Sequence, residues 1–292
     1  MKPTDTPSRR AFLKEMLLLG SAAAAARAAG EVQSAALPPG QLPTIKLGGL
    51  EVSRLILGSN PFFGFAHGNP QASSKEMTAF YTDDRVMAVL DAAAAQGITA
   101  VWTPCYDRWI ALWNKYRERG GKLKVWIGQP DPAPDKMKQH IAAAAENGAR
   151  AVCIQGIRVD EQMKANRFDV LRGWLERIKS YGLPAGMATH GVLTHLVAEE
   201  KGLPTDFYHQ TLYRPDNYVP GGLEESLATI EKLAKPVVAY KTLGAGRFPP
   251  GDALPTVFKR LRPKDGVCLG VFPKQKDEIA ENASLVRRLS MA

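Results

Sequence analysis

The sequence predicts an α/β chain folded as a (β/α)8 TIM barrel. Two observations carry that prediction. From residue 45 onward, short apolar runs alternate with longer amphipathic ones, eight of each. The short runs are continuously apolar, as expected of strands covered on both faces. A doubly wound sheet is the competing architecture, disfavoured by the even count and by the lack of an early G-x-G-x-x-G.

Taken in order, the strand "RLILGSN" leads through the long loop "PFFGFAHGNPQASSKEMTAFYTDD" to the helix "DDRVMAVLDAAAAQG", which stops at Gly97. "TAVWTP" precedes the helix "RWIALWNKYRERGG", and "KVWIGQP" precedes "DKMKQHIAAAAENG". "AVCIQGI" is followed by "RFDVLRGWLERIKSYG", and "PAGMATH" by "VLTHLVAEEKG". "DFYHQTLY" leads to "LEESLATIEKLA", "PVVAYKT" to "DALPTVFKRL", and "GVCLGVF" to "KDEIAENASLVRRL". The helices repeat apolar residues every three or four positions, and most end at glycine, which accepts the left-handed conformation that closes a helix.

Before the barrel lies an address. "SRRAFLK", Ser8 to Lys14, is followed by "EMLLLGSAAAAA" and by Ala26-Arg27-Ala28, an A-x-A-like cleavage site. This resembles a twin-arginine export signal over residues 1–28, with 29–44 as a linker and 45–292 as the barrel. The resemblance implies the export machinery as a partner, a periplasmic or otherwise exported destination, and folded cargo that often carries a cofactor. No stretch approaches the ~18 apolar residues of a membrane span. The net charge of +9 is not gathered into basic runs with interleaved aromatics, which excludes a nucleic-acid partner and suits an anionic small molecule. Cys105, Cys153 and Cys268 each lie in or beside an apolar run and read as buried free thiols.

In a barrel the chemistry belongs at the C-terminal ends of the strands. Those ends offer Asn60, Tyr106, Asp107, Arg108, Gln129, Asp131, Gln155, Arg158, Asp160, His190, His209, Gln210, Lys241 and Lys274. Asn60, Asp107, Arg108, Gln129, Gln155 and His209 are candidates for substrate binding, and Tyr106, Lys241 and His190 for catalysis. His67 in the long first loop is a candidate lid residue. Lys241 poses a specific problem. Strand parity puts it on the face of Val237 and Ala239, and Tyr240 on the face of Val238. Both can meet one ligand only if the strand breaks at Tyr240. Lys241 then has three readings: an ion pair with Asp107 or Asp131, a cation that lowers the Tyr106 pKa or polarises a substrate oxygen, or a Schiff-base amine.

Four segments resemble the aldo-keto reductases over roughly residues 45 to 290: "LGGLEVSRLILGSNPFFG", "YHQTLY", "AYKTLGAG" and "FPKQKDEIAEN". The resemblance implies a hairpin under the barrel and an NAD(P) cofactor. It gives Gln210 to the carboxamide, Tyr240 to the nicotinamide face, and the backbone of Leu243, Gly244 and Gly246 to the pyrophosphate. Lys274 goes to the 2′-phosphate or adenosine end, and Glu281 and Asn282 to the adenine. Glu278, where the family often has arginine, favours NAD. Of the family's Asp, Tyr, Lys and His, only the tyrosine is matched, by Tyr106. The other positions hold Val101 or Trp102, Gly128 or Gln129, and Gln155 or Gly156. A tyrosine alone, with a pKa near ~10, is a poor acid–base catalyst at neutral pH.

The expected function is thus an exported aldo-keto-reductase-like oxidoreductase with a divergent site, acting on a small carbonyl or sugar-like substrate. Two alternatives stand beside it. One is a cofactor-free or metal-dependent lyase, isomerase or hydrolase on a sugar-like substrate, with His190, His209 and Asp107 or Asp131 as ligands of a divalent metal. The other is a non-catalytic ligand-binding barrel. Replacing Arg9 and Arg10 by lysine is expected to leave the protein in the cytoplasm, because a paired-arginine receptor reads geometry as well as charge. Cell fractionation of the double variant checks this; normal export would remove the signal reading.

Overall fold

The computed structural model describes residues 40–213 and 222–291. The export-signal reading and most of the linker lie outside them.

A hairpin opens the described chain. Strands β1 (Thr44–Leu47) and β2 (Leu50–Ser53) pair antiparallel, Ile45 facing Val52. Eight parallel strands follow: β3 (Leu55–Gly58), β4 (Ala100–Pro104), β5 (Val125–Gln129), β6 (Ala151–Ile154), β7 (Ala185–Thr189), β8 (Phe207–Thr211), β9 (Val237–Tyr240) and β10 (Gly266–Gly270). Each pairs with the next, and β10 closes on β3. The chain is therefore the predicted barrel.

Parity divides its side chains into two cores. Ile56, Trp102, Ile127, Cys153, Ala188, His209, Val238 and Cys268 point inward, and Ile45, Leu47 and Val52 of the hairpin join them from below as a floor. The alternate residues, such as Val101, Trp126, Val237 and Ala239, face the helices in a larger outer core. There Trp109 and Trp113 stack at 5.8 Å and meet Trp126 on β5. Large aromatic rings supply much of the burial that holds a helix to a sheet. All three cysteines are free and buried.

The helices are α1 (Ser74–Phe80), α2 (Asp83–Ala95), α3 (Asp107–Glu118), α4 (Met137–Glu146), α5 (Gly156–Lys164), α6 (Phe168–Lys179), α7 (Thr194–Glu200), α8 (Leu223–Lys232), α9 (Pro250–Phe258) and α10 (Glu278–Met291). Two depart from the expected pattern. Helix α1 forms inside the first loop because Ser73 and Glu76 cap it reciprocally. Helix α5 starts directly after β6, with Val159 and Gln162 on its buried face. It moves Arg158 and Asp160 from a strand exit onto a helix. No helix among the described residues is long and apolar enough to cross a membrane.

A buried carboxylate anchors the bottom of β9 and β10. Asp265, fully buried, accepts the amide of Val237 at 2.9 Å and two N–H groups of the Arg262 guanidinium, at 2.7 and 2.8 Å. Arg54 donates to the backbone carbonyls of Asp265 and Arg262 from the start of β3. Asp265→Ala would leave a half-buried guanidinium with only the Leu233 and Lys235 carbonyls for partners and would orphan the amide that starts β9. The expected loss is about 3–5 kcal/mol, measured by urea unfolding; a loss under ~1 kcal/mol would show that the network is dispensable.

Candidate functional site

The inward parity of the strands, continued one step beyond their upper ends, supplies the mouth. Gln129 follows Ile127, Gln155 follows Cys153, and His190 follows Ala188. They border a cavity of about 570 Å³, shared with Asn60, His67, Trp102, Tyr106, Asp131, Tyr240, Lys241, Thr242 and Asn282. The first loop and the "TLGAG" turn form adjoining parts of its rim. They are tied together: Gln71 donates to the Gly246 carbonyl at 3.1 Å, and Arg247 donates to the Gly244 and His67 carbonyls.

Lys241 enters this cavity by breaking its strand. Strand β9 ends at Tyr240, and Lys241 takes a φ of +57°, in the left-handed region. Tyr240 keeps its inward direction while the next residue is swung round to join it. Burial of the ammonium lowers the Lys241 pKa to about 8. Nearby His67 is pushed down to about 4, first by burial and then by Lys241, His190 and Arg247. Its Nε2 lies 3.1 Å from the Asn60 amide nitrogen, so the neutral ring accepts there.

Two carboxylates serve the mouth, each with its own partner. Asp131 accepts the Tyr106 hydroxyl at 2.7 Å. Burial and then that carboxylate raise the phenol's pKa, the opposite of what Lys241 was expected to do for it. Asp160, on α5, accepts the His190 amide at 2.9 Å, meets its Nδ1 at 3.1 Å, and accepts the Thr189 hydroxyl. An imidazole held so at Nδ1 presents Nε2 as its other nitrogen. Gly156 makes room for this arrangement: a Cβ there would lie 3.0 Å from the His190 ring and 3.2 Å from the Tyr240 hydroxyl.

The remaining candidates divide. Leu243, Gly246, Glu281 and Asn282 line the cavity, and Asn282 Oδ1 and Thr242 Oγ1 are buried with no hydrogen-bond partner among the described residues. Gly244 and Gly246 have φ of +53° and +84°, but their amides donate to the Lys241 and Leu243 carbonyls within the turn. They offer a ligand space and not donors. Gln210 lies on the outer face of β8, donating to the Gly191 and Thr211 carbonyls. Lys274 is exposed, 3.8 Å from Glu76. Asp107 is exposed on α3, and Arg108 pairs with Asp83. His209 is sealed inside the barrel, its ring 4.1 Å from that of Trp102.

These positions correct several expectations. A nicotinamide does not fit the residues assigned to it: Gln210 faces away from the cavity, Lys274 is outside it, and the turn amides are occupied. Among the described residues, no group of three His, Cys, Asp or Glu side chains is arranged to hold a metal. Thr242 is the addition of the fold, and Asp131 and Asp160, known from the sequence as rim carboxylates, acquire their partners from it. Asp160 was visible only as a rim carboxylate, because nothing in "GIRVDEQ" announces its contact with a histidine thirty residues on.

No family model and no curated protein matches the chain. Among solved structures it is similar to thiamine phosphate pyrophosphorylase from Pyrococcus furiosus, at 16% identity over 81% of this chain and 94% of that one, with a TM-score of 0.44. A likeness of that extent carries no argument about chemistry, and the barrel rests on the strand pairing itself. The site itself departs from a reductase: the Tyr106 hydroxyl is held by the carboxylate of Asp131, which with burial makes it a poorer acid, and Gln210 and Lys274 stand away from the cavity. The expectation of an aldo-keto-reductase-type oxidoreductase is therefore withdrawn.

His209 allows a test of its structural standing. Burial lowers its pKa to about 3, and neither ring nitrogen has a partner among the described residues. The unfolded imidazole binds a proton near ~6.5 and the folded one only near ~3, so this group removes stability as pH falls through that window. His209→Leu is expected to be neutral or stabilising at pH 7 and to flatten the acid limb of a pH–stability profile. An unchanged acid limb would count against a dry, neutral His209.

Proposed function

We propose that the barrel mouth is the active site of a proton-transfer enzyme acting on a small, oxygen-rich anionic compound. The carrying observation is the His190–Asp160 pair, which holds a histidine by Nδ1 at the edge of a large cavity. In that pairing Nε2 is the acceptor, and the carboxylate stabilises the imidazolium that forms when it takes a proton. Lys241 supplies positive charge to the ligand, with Arg247 close behind the rim. Thr242, Asn282, Gln129 and Gln155 offer hydrogen bonds to ligand oxygens. The cavity's apolar wall of Trp102, Leu243 and Phe248 strengthens each charge interaction by excluding water. Export of this enzyme rests on the "SRRAFLK" motif alone.

Proton transfer is detectable without knowing the product. A panel of short 2-oxo and hydroxy carboxylates and phosphate monoesters, incubated with the protein in D2O, is expected to yield at least one compound that exchanges a carbon-bound proton, seen by NMR. His190→Asn is expected to slow that exchange by about 10²–10⁴-fold, while the same compound still raises its melting temperature. Exchange at the wild-type rate in His190→Asn, or none with any compound, would refute the assignment.

A further inference from the structure

We infer that Lys241 is a nucleophilic amine that holds a carbonyl substrate as a Schiff base, and that the carbon acid so formed is what His190 deprotonates. The inference rests on the proton-transfer reading of the mouth and specifies its substrate as an aldehyde or ketone.

Geometry is its first support. A lysine continuing β9 would point outward with Val237 and Ala239 into the helix layer. The left-handed turn at Lys241 instead brings it to the cavity beside Tyr240. Such a backbone is disfavoured for a side chain with a Cβ, and strain of this kind gathers at functional sites.

The surroundings are the second support. The lysine shares its cavity with Trp102, Leu243 and Cys268, and burial is the cause that lowers its pKa to about 8. A fraction of the amine is then neutral at neutral pH, as nucleophilic attack requires. Schiff-base formation keeps a positive charge at this position for the ligand's anionic group, because the iminium nitrogen carries it in place of the ammonium.

The third support is the proton-transfer group at hand. His190 and Tyr240 approach the same point over Gly156, and Lys241 follows Tyr240 in the chain. The neutral amine attacks the carbonyl carbon, and its two protons pass to the oxygen, which leaves as water while a C=N bond forms. One proton from solvent converts the imine to the iminium. His190 Nε2 then takes a proton from the adjacent carbon, and the C–H electron pair becomes the C=C bond of a neutral enamine. No oxidant or reductant enters.

Borohydride trapping tests the covalent bond apart from turnover. The full chain is incubated with pyruvate, glycolaldehyde or dihydroxyacetone phosphate, reduced with sodium borohydride, digested, and mapped by mass spectrometry. At least one probe is expected to label Lys241 in near-stoichiometric yield, ahead of exposed lysines such as Lys274. His190→Asn is expected to be labelled as well. Lys241→Arg, which keeps the charge, is expected to melt near the wild type and lose that label. Labelling confined to exposed lysines, or none at Lys241 with any probe, would overturn the inference. If D2O exchange persists while Lys241 stays unlabelled, the Schiff base alone fails; if Lys241 is labelled and no exchange occurs, the proton-transfer reading fails instead.

Discussion

Closing eight parallel strands into a barrel forces every second side chain of each strand inward, and the interior has room only for what the opposite strands leave. That constraint organises this molecule from floor to mouth. It puts Ile45, Leu47 and Val52 of the hairpin under the strands and Trp102, His209 and Val238 in the middle. It delivers Gln129, Gln155 and His190 to the top, one step beyond the last packed layer. Strand β9 departs from it at Lys241, where a left-handed residue replaces the next extended one. The local cost is on the order of 1 kcal/mol, and the result is a cation where parity alone would put none. The Asp265–Arg262 network holds the other end of β9, so the strand that bends at its exit is pinned at its start.

Charge in the mouth is arranged by pairing. Asp131 is taken by Tyr106 and Asp160 by His190, Thr189 and a backbone amide. On the Lys241 side, His67 is kept neutral by burial and by the cations around it. Lys241, His67 and His190 therefore stand close enough to share one part of the mouth. The first loop and the glycine turn are bonded to each other at the rim, so His67 and the turn that begins at Lys241 keep their spacing.

The resemblance to aldo-keto reductases failed for a reason visible in single residues. A motif such as "YHQTLY" does not state which side of a strand each letter occupies. In β8 the histidine falls inside the barrel and the glutamine outside, where it bonds to Gly191 and Thr211. In "TLGAG" the glycines do take positive φ, but the turn closes on its own carbonyls. The letters matched, while the directions of donors and side chains did not.

The barrel itself was legible in the sequence, because apolar period and glycine punctuation are local properties of a chain and eight repeats of them admit few closed arrangements. The strand exits were legible for the same reason, and with them Tyr106, Gln129, Gln155, His190 and Lys241. The parity of "VVAYKT" even stated the choice at Lys241, a break or a residue facing away, without making it. Tertiary structure made it, as it chose Tyr106 for Asp131, His190 for Asp160, and the sealed interior for His209. Those choices depend on contacts between residues about thirty positions apart and on one backbone angle, and both are set only when the strands close around a common axis.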